Sequence, residues 1–140
     1  MKKMEFLKSE TIEHALAQHY RQYLTGKLKH PQPELQHMED EIEIGLSHYK
    51  EFTPDLPHVH PVATEHCYVV KGSVRCRLLD GSGQAQQFDE GDFFVFRPNE
   101  PHACKNAPGT VVLFIKSPAI NDKTLVDVDE ETGKWLLAWD

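Results

Sequence analysis

From Ile42 onward the chain consists of short segments rich in β-branched and aromatic residues, separated by turn-forming residues. The turn signals are Thr53-Pro-Asp, Asp80-Gly-Ser-Gly, Glu90-Gly-Asp, Arg97-Pro-Asn and Ala107-Pro-Gly. Short strands at this spacing predict an antiparallel sandwich or barrel. The predicted strands lie near residues 42–50, 57–60, 65–71, 73–79, 84–88, 93–96, 102–105 and 110–116. Asp80-Gly-Ser-Gly is predicted to be a hairpin turn whose glycines have positive φ.

The N-terminal part of the chain has a different periodicity. Ser9 is a candidate N-cap, and apolar residues then recur at helical spacing until Gly26. These residues are Ile12, Leu16, Tyr20, Tyr23 and Leu24. His30-Pro-Gln-Pro is expected to be an extended linker, because each proline disfavours helix in the residue before it. We therefore expect one domain, with the helix and linker of residues 1–40 packed on a barrel of residues 41–140.

The C-terminal segment contains two further apolar stretches. Leu125-Val-Asp-Val comes first, Glu131-Thr-Gly is a turn signal, and an apolar stretch from Lys134 follows. This order predicts a final hairpin that covers the barrel.

Charge and cysteine usage restrict the partners and the location. The formal charge is −7, from 22 acidic and 15 basic residues, and the basic residues are scattered, which argues against a nucleic-acid partner. The longest apolar run, Val111 to Ile115, is too short to span a membrane, and the first residues do not resemble a signal peptide. Cys67, Cys76 and Cys104 are an odd count without Cys-x-x-Cys spacing, so we expect reduced thiols and a cytoplasmic protein.

Four residues form a candidate metal-binding set. His58 and His60 are two positions apart, so on a strand both imidazoles lie on one face. Glu65 faces the same interior only if the chain bends after Pro61, and His102 comes from a later strand. Three imidazoles and one carboxylate suit one divalent transition metal (iron, manganese, nickel, cobalt or zinc) better than calcium. The alternative is a metal-free polar cluster.

The spacing of these residues resembles two sequence motifs of the cupin superfamily. The first motif is His58-x-His60, four residues, Glu65, six residues and Gly72; the second runs from Gly91 to Pro98 and continues with His102 and Asn106. The resemblance implies an all-β fold, a double-stranded β-helix (jelly-roll) barrel, here with one N-terminal α-helix. It also implies that His58, His60, Glu65 and His102 bind the metal.

The residues around this set suggest a pocket. By strand alternation Cys67, Cys104 and Asn106 are expected to point toward the metal, where a cysteine is either a small core residue or a redox-sensitive thiol. Arg97 and Lys116 are candidates for holding an anionic substrate near the barrel mouth.

Cupins include enzymes and non-catalytic proteins, so the resemblance leaves the function open. One hypothesis is a metal-dependent enzyme, of dioxygenase or isomerase and lyase type, that acts on a small polar metabolite, with Tyr68 as a candidate proton-transfer residue. The other is a non-catalytic module that binds a sugar or small organic acid, and a missing dedicated acid or base favours it. In either case we expect a small-molecule ligand and a homodimer, with neither nucleic acid nor membrane as partner.

Overall fold

A computed structural model describes residues 4–27 and 40–140. Two helices are present, α1 (Ser9–Gln18) and α2 (Glu130–Trp135). The strands are β1 (Arg21–Thr25), β2 (Glu43–Tyr49), β3 (Thr53–Pro54), β4 (His58–Val59), β5 (Thr64–Lys71), β6 (Ser73–Leu78), β7 (Ala85–Asp89), β8 (Phe93–Phe96), β9 (His102–Asn106), β10 (Thr110–Ser117) and β11 (Thr124–Leu125). The eight strands expected from the sequence are all present, most with ends shifted by one or two residues.

The strands form two antiparallel sheets with the strand crossings of a double-stranded β-helix. The first sheet has the order β1-β2-β10-β5-β8, and the second has the order β11-β4-β9-β6-β7, with β3 paired to β9. Every pairing is antiparallel. The all-β barrel expected from the sequence is therefore confirmed.

Side-chain alternation along β2 separates the interior of the barrel from its surface. Every second residue of β2 is buried, beginning with Glu43. The apolar core contains Val69, Phe94, Val112 and Phe114, which come from β5, β8 and β10. A period of two is what a strand with one buried face requires, and it sets which residues can reach the interior.

Two turns depend on glycine. Gly72 joins β5 to β6 with φ +87°, and a Cβ at this position would overlap Thr110. The turn between β6 and β7 contains Gly81 and Gly83, both at positive φ, so the hairpin predicted at Asp80 is confirmed. Left-handed backbone is readily accessible to glycine and costly for most other residues.

The N-terminal segment differs from the prediction. Helix α1 ends at Gln18, and Tyr23 and Leu24 lie in β1, which pairs with β2. The residue that caps α1 is Lys8, not Ser9, and it makes no side-chain cap. The helical prediction for residues 19–24 was wrong because pairing with an open sheet edge outweighed a weak local preference. The linker predicted at His30 lies outside the described residues.

The C-terminal segment also differs, because a short helix replaces the predicted hairpin. Asp129 caps α2, its Oδ1 accepting a hydrogen bond from the Thr132 N–H at 2.8 Å. Lys134 Nζ lies 3.2 Å from Glu130 Oε1, one helical turn away. The sequence Asp129-Glu-Glu-Thr is an N-terminal helix signal, and it overlaps the turn predicted at Glu131-Thr-Gly.

The cysteines give a third correction. Cys76 in β6 and Cys104 in β9 lie directly opposite each other and form a disulfide, whereas Cys67 is free and buried. Cross-strand pairing of residues 28 apart cannot be read from cysteine spacing alone. The bond also removes the thiol argument for a cytoplasmic location. Across residues 4–27 and 40–140, neither helix has the length and apolarity needed to cross a bilayer.

Candidate metal centre

The four candidate ligands come together from both sheets. His58 lies in β4 directly opposite His102 in β9, both in the second sheet. His60 follows β4, the chain bends at residues 61–62, and Glu65 then lies in β5 of the first sheet. The bend expected after Pro61 is present, and it places the Glu65 side chain in the barrel interior.

The three imidazoles surround one carboxylate oxygen. Glu65 Oε2 lies 3.2 Å from His60 Nε2, 3.8 Å from His58 Nε2 and 3.9 Å from His102 Nε2. The ligand atoms of His58, His60 and Glu65 all lie within 4.8 Å of one another. The His102 ring stacks on Phe96 with 3.6 Å between the centroids, which fixes its plane. The side chains are thus arranged around a common point.

The opposite ring nitrogens determine which tautomer each histidine adopts. His58 Nδ1 donates to Leu56 O at 2.6 Å, His102 Nδ1 donates to Glu100 O at 2.8 Å, and His60 Nδ1 donates to Asp122 Oδ1 at 3.0 Å. A carbonyl or carboxylate oxygen can only accept, so each Nδ1 carries the proton. In the neutral imidazole each Nε2 then presents a lone pair toward Glu65, an orientation typical of metal-ligating histidines.

This arrangement fits a bound cation. His60 Nε2 and Glu65 Oε2 are buried and have no hydrogen-bond partner. Lone pairs that face a carboxylate without a proton between them are unfavourable, since buried polar groups cost free energy when left unpaired. A divalent ion bound by three imidazoles and one carboxylate would satisfy all of them and leave positions for water or substrate.

Burial and charge shift the pKa values in the cluster. Burial alone would raise the pKa of Glu65, but His58, His60 and Lys116 lower it well below its ordinary value. Burial lowers the pKa of His102 to about 4. Burial would also lower the pKa of His60, but the neighbouring carboxylates of Glu65 and Asp122 raise it instead. An ionised Glu65 and a neutral His102 are the protonation states that metal binding needs.

Asp122 supports the site, and our sequence interpretation missed it. Its Oδ1 accepts a hydrogen bond from His60 Nδ1, and its Oδ2 accepts hydrogen bonds from the N–H groups of Val62 and Ala63 at 2.8 and 2.9 Å. One carboxylate therefore holds both the His60 ring and the bend that turns Glu65 inward. No local motif marks this residue, because it lies 62 positions from His60.

A row of charged side chains continues from Glu65 across the first sheet. Lys116 in β10 lies directly opposite Glu65 in β5 on one side and Glu43 in β2 on the other. Lys116 Nζ is 3.3 Å from Glu43 Oε2. Glu43 is only 3% exposed, and its Oε2 has no hydrogen bond. Lys116 is one of the pocket residues predicted from the sequence, whereas Glu43 was not predicted.

The interior of the barrel behind the ligands holds a small cavity of about 40 Å³. Its lining includes Cys67, Cys104 and Asn106, as strand alternation predicted. Asn106 Nδ2 donates to Thr53 O, and Cys67 Sγ lies 3.8 Å from Glu65 Oε1. Burial raises the pKa of the Cys67 thiol well above its ordinary value, so this residue is a protonated core cysteine rather than a reactive thiol.

A larger chamber of about 240 Å³ lies on the other side of His60. Its lining includes one imidazole and five charged side chains, from His60, Arg21, Glu43, Lys116, Asp122 and Lys123. Arg21 also lines the small cavity, where its guanidinium donates to Ser47 Oγ and Tyr49 Oη. Arg21 Nη2 lies 3.6 Å from Asp55 Oδ1, and Arg21 therefore separates the two spaces.

Two predicted site residues lie elsewhere. Tyr68 is 44% exposed on the outer face of the first sheet, opposite Phe93, and it lines neither space. It is three positions from Glu65, and odd spacing on a strand places side chains on opposite faces. Arg97 is exposed in the loop after β8 and lines neither space. The structure therefore gives no support to Tyr68 as a proton-transfer residue or to Arg97 as an anion-binding residue.

These features define a double-stranded β-helix barrel with a His₃Glu cluster inside it, and comparisons with known proteins agree on the fold. An uncharacterized conserved protein with a double-stranded beta-helix domain from Klebsiella pneumoniae has 19% identity, covers 63% of this chain and 76% of its own, with a TM-score of 0.55. KdgF from Halomonas sp. has 21% identity and a TM-score of 0.53, and the match covers 74% of this chain and 83% of KdgF. Oxalate decarboxylase from Bacillus subtilis, described with Mn(II) centres, has 20% identity and a TM-score of 0.53. The match covers 66% of this chain and 27% of the decarboxylase.

Sequence comparison gives the family. Residues 48–115 match the cupin domain, a span that contains all four candidate ligands. No curated protein matches the sequence. The chain is a small cupin-domain protein, and the resemblance found in its two motifs is confirmed.

Proposed function

We propose that this protein is a metal-dependent cupin enzyme that acts on a small polar metabolite. The observation that carries the proposal is the convergence of three Nε2 lone pairs on Glu65 Oε2, with each Nδ1 fixed by an oxygen acceptor. His60 and its partner Asp122 line the larger chamber, and the other three ligands line the small cavity. A closed structural metal site would not need such a chamber.

The chemistry divides between the metal and the protein. A bound divalent ion would act as a Lewis acid that polarises a substrate oxygen. The protein contributes a fixed ligand geometry, through Asp122 and the stacked His102 ring, and a mouth lined by charged groups.

Glu43 supports a catalytic function over a purely binding one. The sequence offered no dedicated acid or base, which favoured the binding module. Glu43 is a buried carboxylate whose Oε2 has no hydrogen-bond partner and whose side chain lines the chamber. A carboxylate in that position can accept or return a substrate proton, as isomerases and lyases require, with Lys116 compensating its charge.

The first test is metal content per chain, measured in wild type, His58→Ala, His102→Ala and the control His14→Ala. His14 is exposed on α1 and takes no part in the site. We expect near-stoichiometric metal in wild type and control, and almost none in the other two variants, because each has lost a ligand. Wild-type protein that stays metal-free after reconstitution would refute the proposal.

The second test separates an enzyme from a binding module. Metal-loaded wild type and Glu43→Gln are assayed with hydroxy acids, keto acids and sugars, with and without oxygen. We expect oxygen-independent turnover that falls at least 100-fold in Glu43→Gln, at unchanged metal content, as expected for loss of general acid–base catalysis. Ligand-induced thermal stabilisation without product would instead identify a binding module. Oxygen consumption would identify a dioxygenase.

The expected small-molecule ligand, the homodimer, the absence of nucleic-acid and membrane partners and the cytoplasmic location remain predictions.

A further inference from the structure

We propose that the chamber beside the metal centre is a binding site for a small carboxylate anion, recognised by Lys116 and Lys123 with Arg21 behind them. This inference rests on the proposed function and names the substrate class of the same site.

The cations approach the chamber from three separate parts of the fold. Arg21 comes from β1, Lys116 from β10, and Lys123 from the segment between β10 and β11. Lys116 is bound by Glu43, and Arg21 interacts with Asp55. Convergence of side chains that are distant in sequence is typical of a built binding site rather than of a local run of surface charge.

Lys123 differs from the other two. Its side chain makes no hydrogen bond or ion pair with another described residue, although it lines the same chamber. Partial desolvation lowers the pKa of Lys123, and the nearby charge of Arg21 lowers it further. Lys123 thus faces the chamber near two other cations without an ion pair of its own among the described residues, and a bound anion would reduce this repulsion.

The charge balance of the site points the same way. Glu43, Glu65, Asp55 and Asp122 carry four negative charges, against three positive charges on Arg21, Lys116 and Lys123. Without metal the site is therefore negative by one charge. A divalent ion makes it positive by one, which a single carboxylate would neutralise. We therefore expect the anion to bind only to metal-loaded protein.

The chamber is small and has a partly apolar wall. Its volume of about 240 Å³ lies below the range of roughly 300–1,000 Å³ that is usual for drug-sized ligands. Pro118, Ala119 and Ile120 also line it. These features suit an acid with a few carbon atoms, whose carboxylate contacts the lysines while its short chain packs on Ile120.

The test is calorimetric binding of short carboxylic acids and their neutral amides, for example lactate against lactamide and malonate against malonamide. Metal content is measured first on the same samples of wild type, Lys123→Gln and the control Lys134→Gln. Lys134 is exposed on α2 and pairs with Glu130. We expect at least one acid to bind metal-loaded wild type and control at least 10-fold more tightly than its amide, with at least 10-fold weaker binding to Lys123→Gln and none to metal-free protein.

The outcomes separate the two proposals. Protein that binds no metal would overturn both of them. Metal-loaded protein that binds no acid more tightly than its amide, or whose affinity is unchanged in Lys123→Gln, would overturn the carboxylate site alone. Because Lys123 is exposed, its replacement is expected to leave the unfolding midpoint unchanged, so weaker binding would not reflect misfolding.

Discussion

Two regions of this barrel bury charged side chains, and they do so differently. Inside, His60, Glu65 and Glu43 each present a buried nitrogen or oxygen atom that has no hydrogen-bond partner. On the outer face of the second sheet, Lys105 is 2% exposed, but its Nζ donates to Trp135 O and Ala138 O, both at 2.8 Å. The inner region leaves buried polar atoms without hydrogen-bond partners, whereas nearly all buried polar atoms of the outer region are hydrogen-bonded.

The outer region fastens the C-terminal segment to the barrel. Lys105, Arg75 and Arg77 are neighbours on β6 and β9, and the rings of Trp135 and Trp139 lie over them. Arg75 also donates to Trp139 O, and Arg77 Nη1 donates to Thr132 Oγ1. Among the described residues of this layer, Arg77 Nε is the single buried side-chain nitrogen or oxygen atom without a hydrogen bond.

The difference indicates what each region is for. Polar groups buried for stability are paired, because burying a polar group costs free energy that only a hydrogen bond or ion pair compensates. Polar groups that remain unpaired in a well-packed barrel are typical of a site that a ligand completes. Changes in the outer region should therefore affect folding, whereas changes in the inner region should affect binding.

The largest expected effect is on stability, for Lys105→Met. The substitution keeps the packed side-chain stem but leaves two carbonyl groups without their donor, so the free energy of unfolding should fall by about 3 kcal/mol. Denaturant titration measures the loss, with the exposed Lys134→Met as control. Metal content should not change. A loss below about 1 kcal/mol would mean that the outer region does not have the stabilising function inferred from its hydrogen bonds.

The next effect belongs to the inner region, for Asp122→Asn. An amide oxygen can still accept from Val62 and Ala63, but the amide nitrogen cannot accept the His60 proton. Metal affinity should weaken 10- to 100-fold, roughly 1.4 to 2.8 kcal/mol, with little change in metal-free stability. Competition with a chelating dye measures it, and the exposed Asp127→Asn is the control. Equal affinities would show that Asp122 does not orient the His60 ring.

Low pH should weaken metal binding in the inner region. Since the pKa of His60 is raised and that of His102 is lowered to about 4, His60 takes up a proton before His102 as the pH falls. A protonated Nε2 cannot bind metal, so affinity should begin to decline at a higher pH than an ordinary histidine pKa of about 6.5 would give, by up to about tenfold per pH unit. Metal titrations from pH 8 to pH 5 measure the decline. If the metal concentration is set to the wild-type dissociation constant, metal occupancy that stays unchanged at pH 5 would contradict this prediction.

The smallest expected effect is a gain, for the double variant Glu43→Met, Lys116→Met in metal-free protein. Replacing a buried ion pair by apolar side chains of similar size often stabilises a fold, here by about 1 kcal/mol. Lys116→Met alone should destabilise, because Glu43 would stay buried without its counter-charge. Thermal unfolding of both variants beside wild type measures the difference. A double variant less stable than wild type would show that the pair stabilises the fold.

Much of the barrel and its ligands could be predicted from sequence because both depend on local patterns. Alternation and turn residues indicated eight strands. The His-x-His spacing placed His58 and His60 on one face, and the bend after Pro61 allowed Glu65 to face the same interior. Strand alternation also placed Cys67 and Asn106 in the interior. The same rule, applied to Tyr68, would have placed it outside.

Tertiary structure alone decided the parts that depend on long-range pairing. Residues 21–25 became a strand because the edge of β2 was open to pair with them, and Cys76 meets Cys104 because β6 and β9 are neighbours. Glu43, Lys116 and Glu65 form a row only when β2, β10 and β5 lie side by side. Asp122 reaches His60 only when the chain after β10 returns over the barrel mouth. Sequence spacing shows which face a side chain occupies, but strand order, set by burial of the whole core, determines which side chains meet.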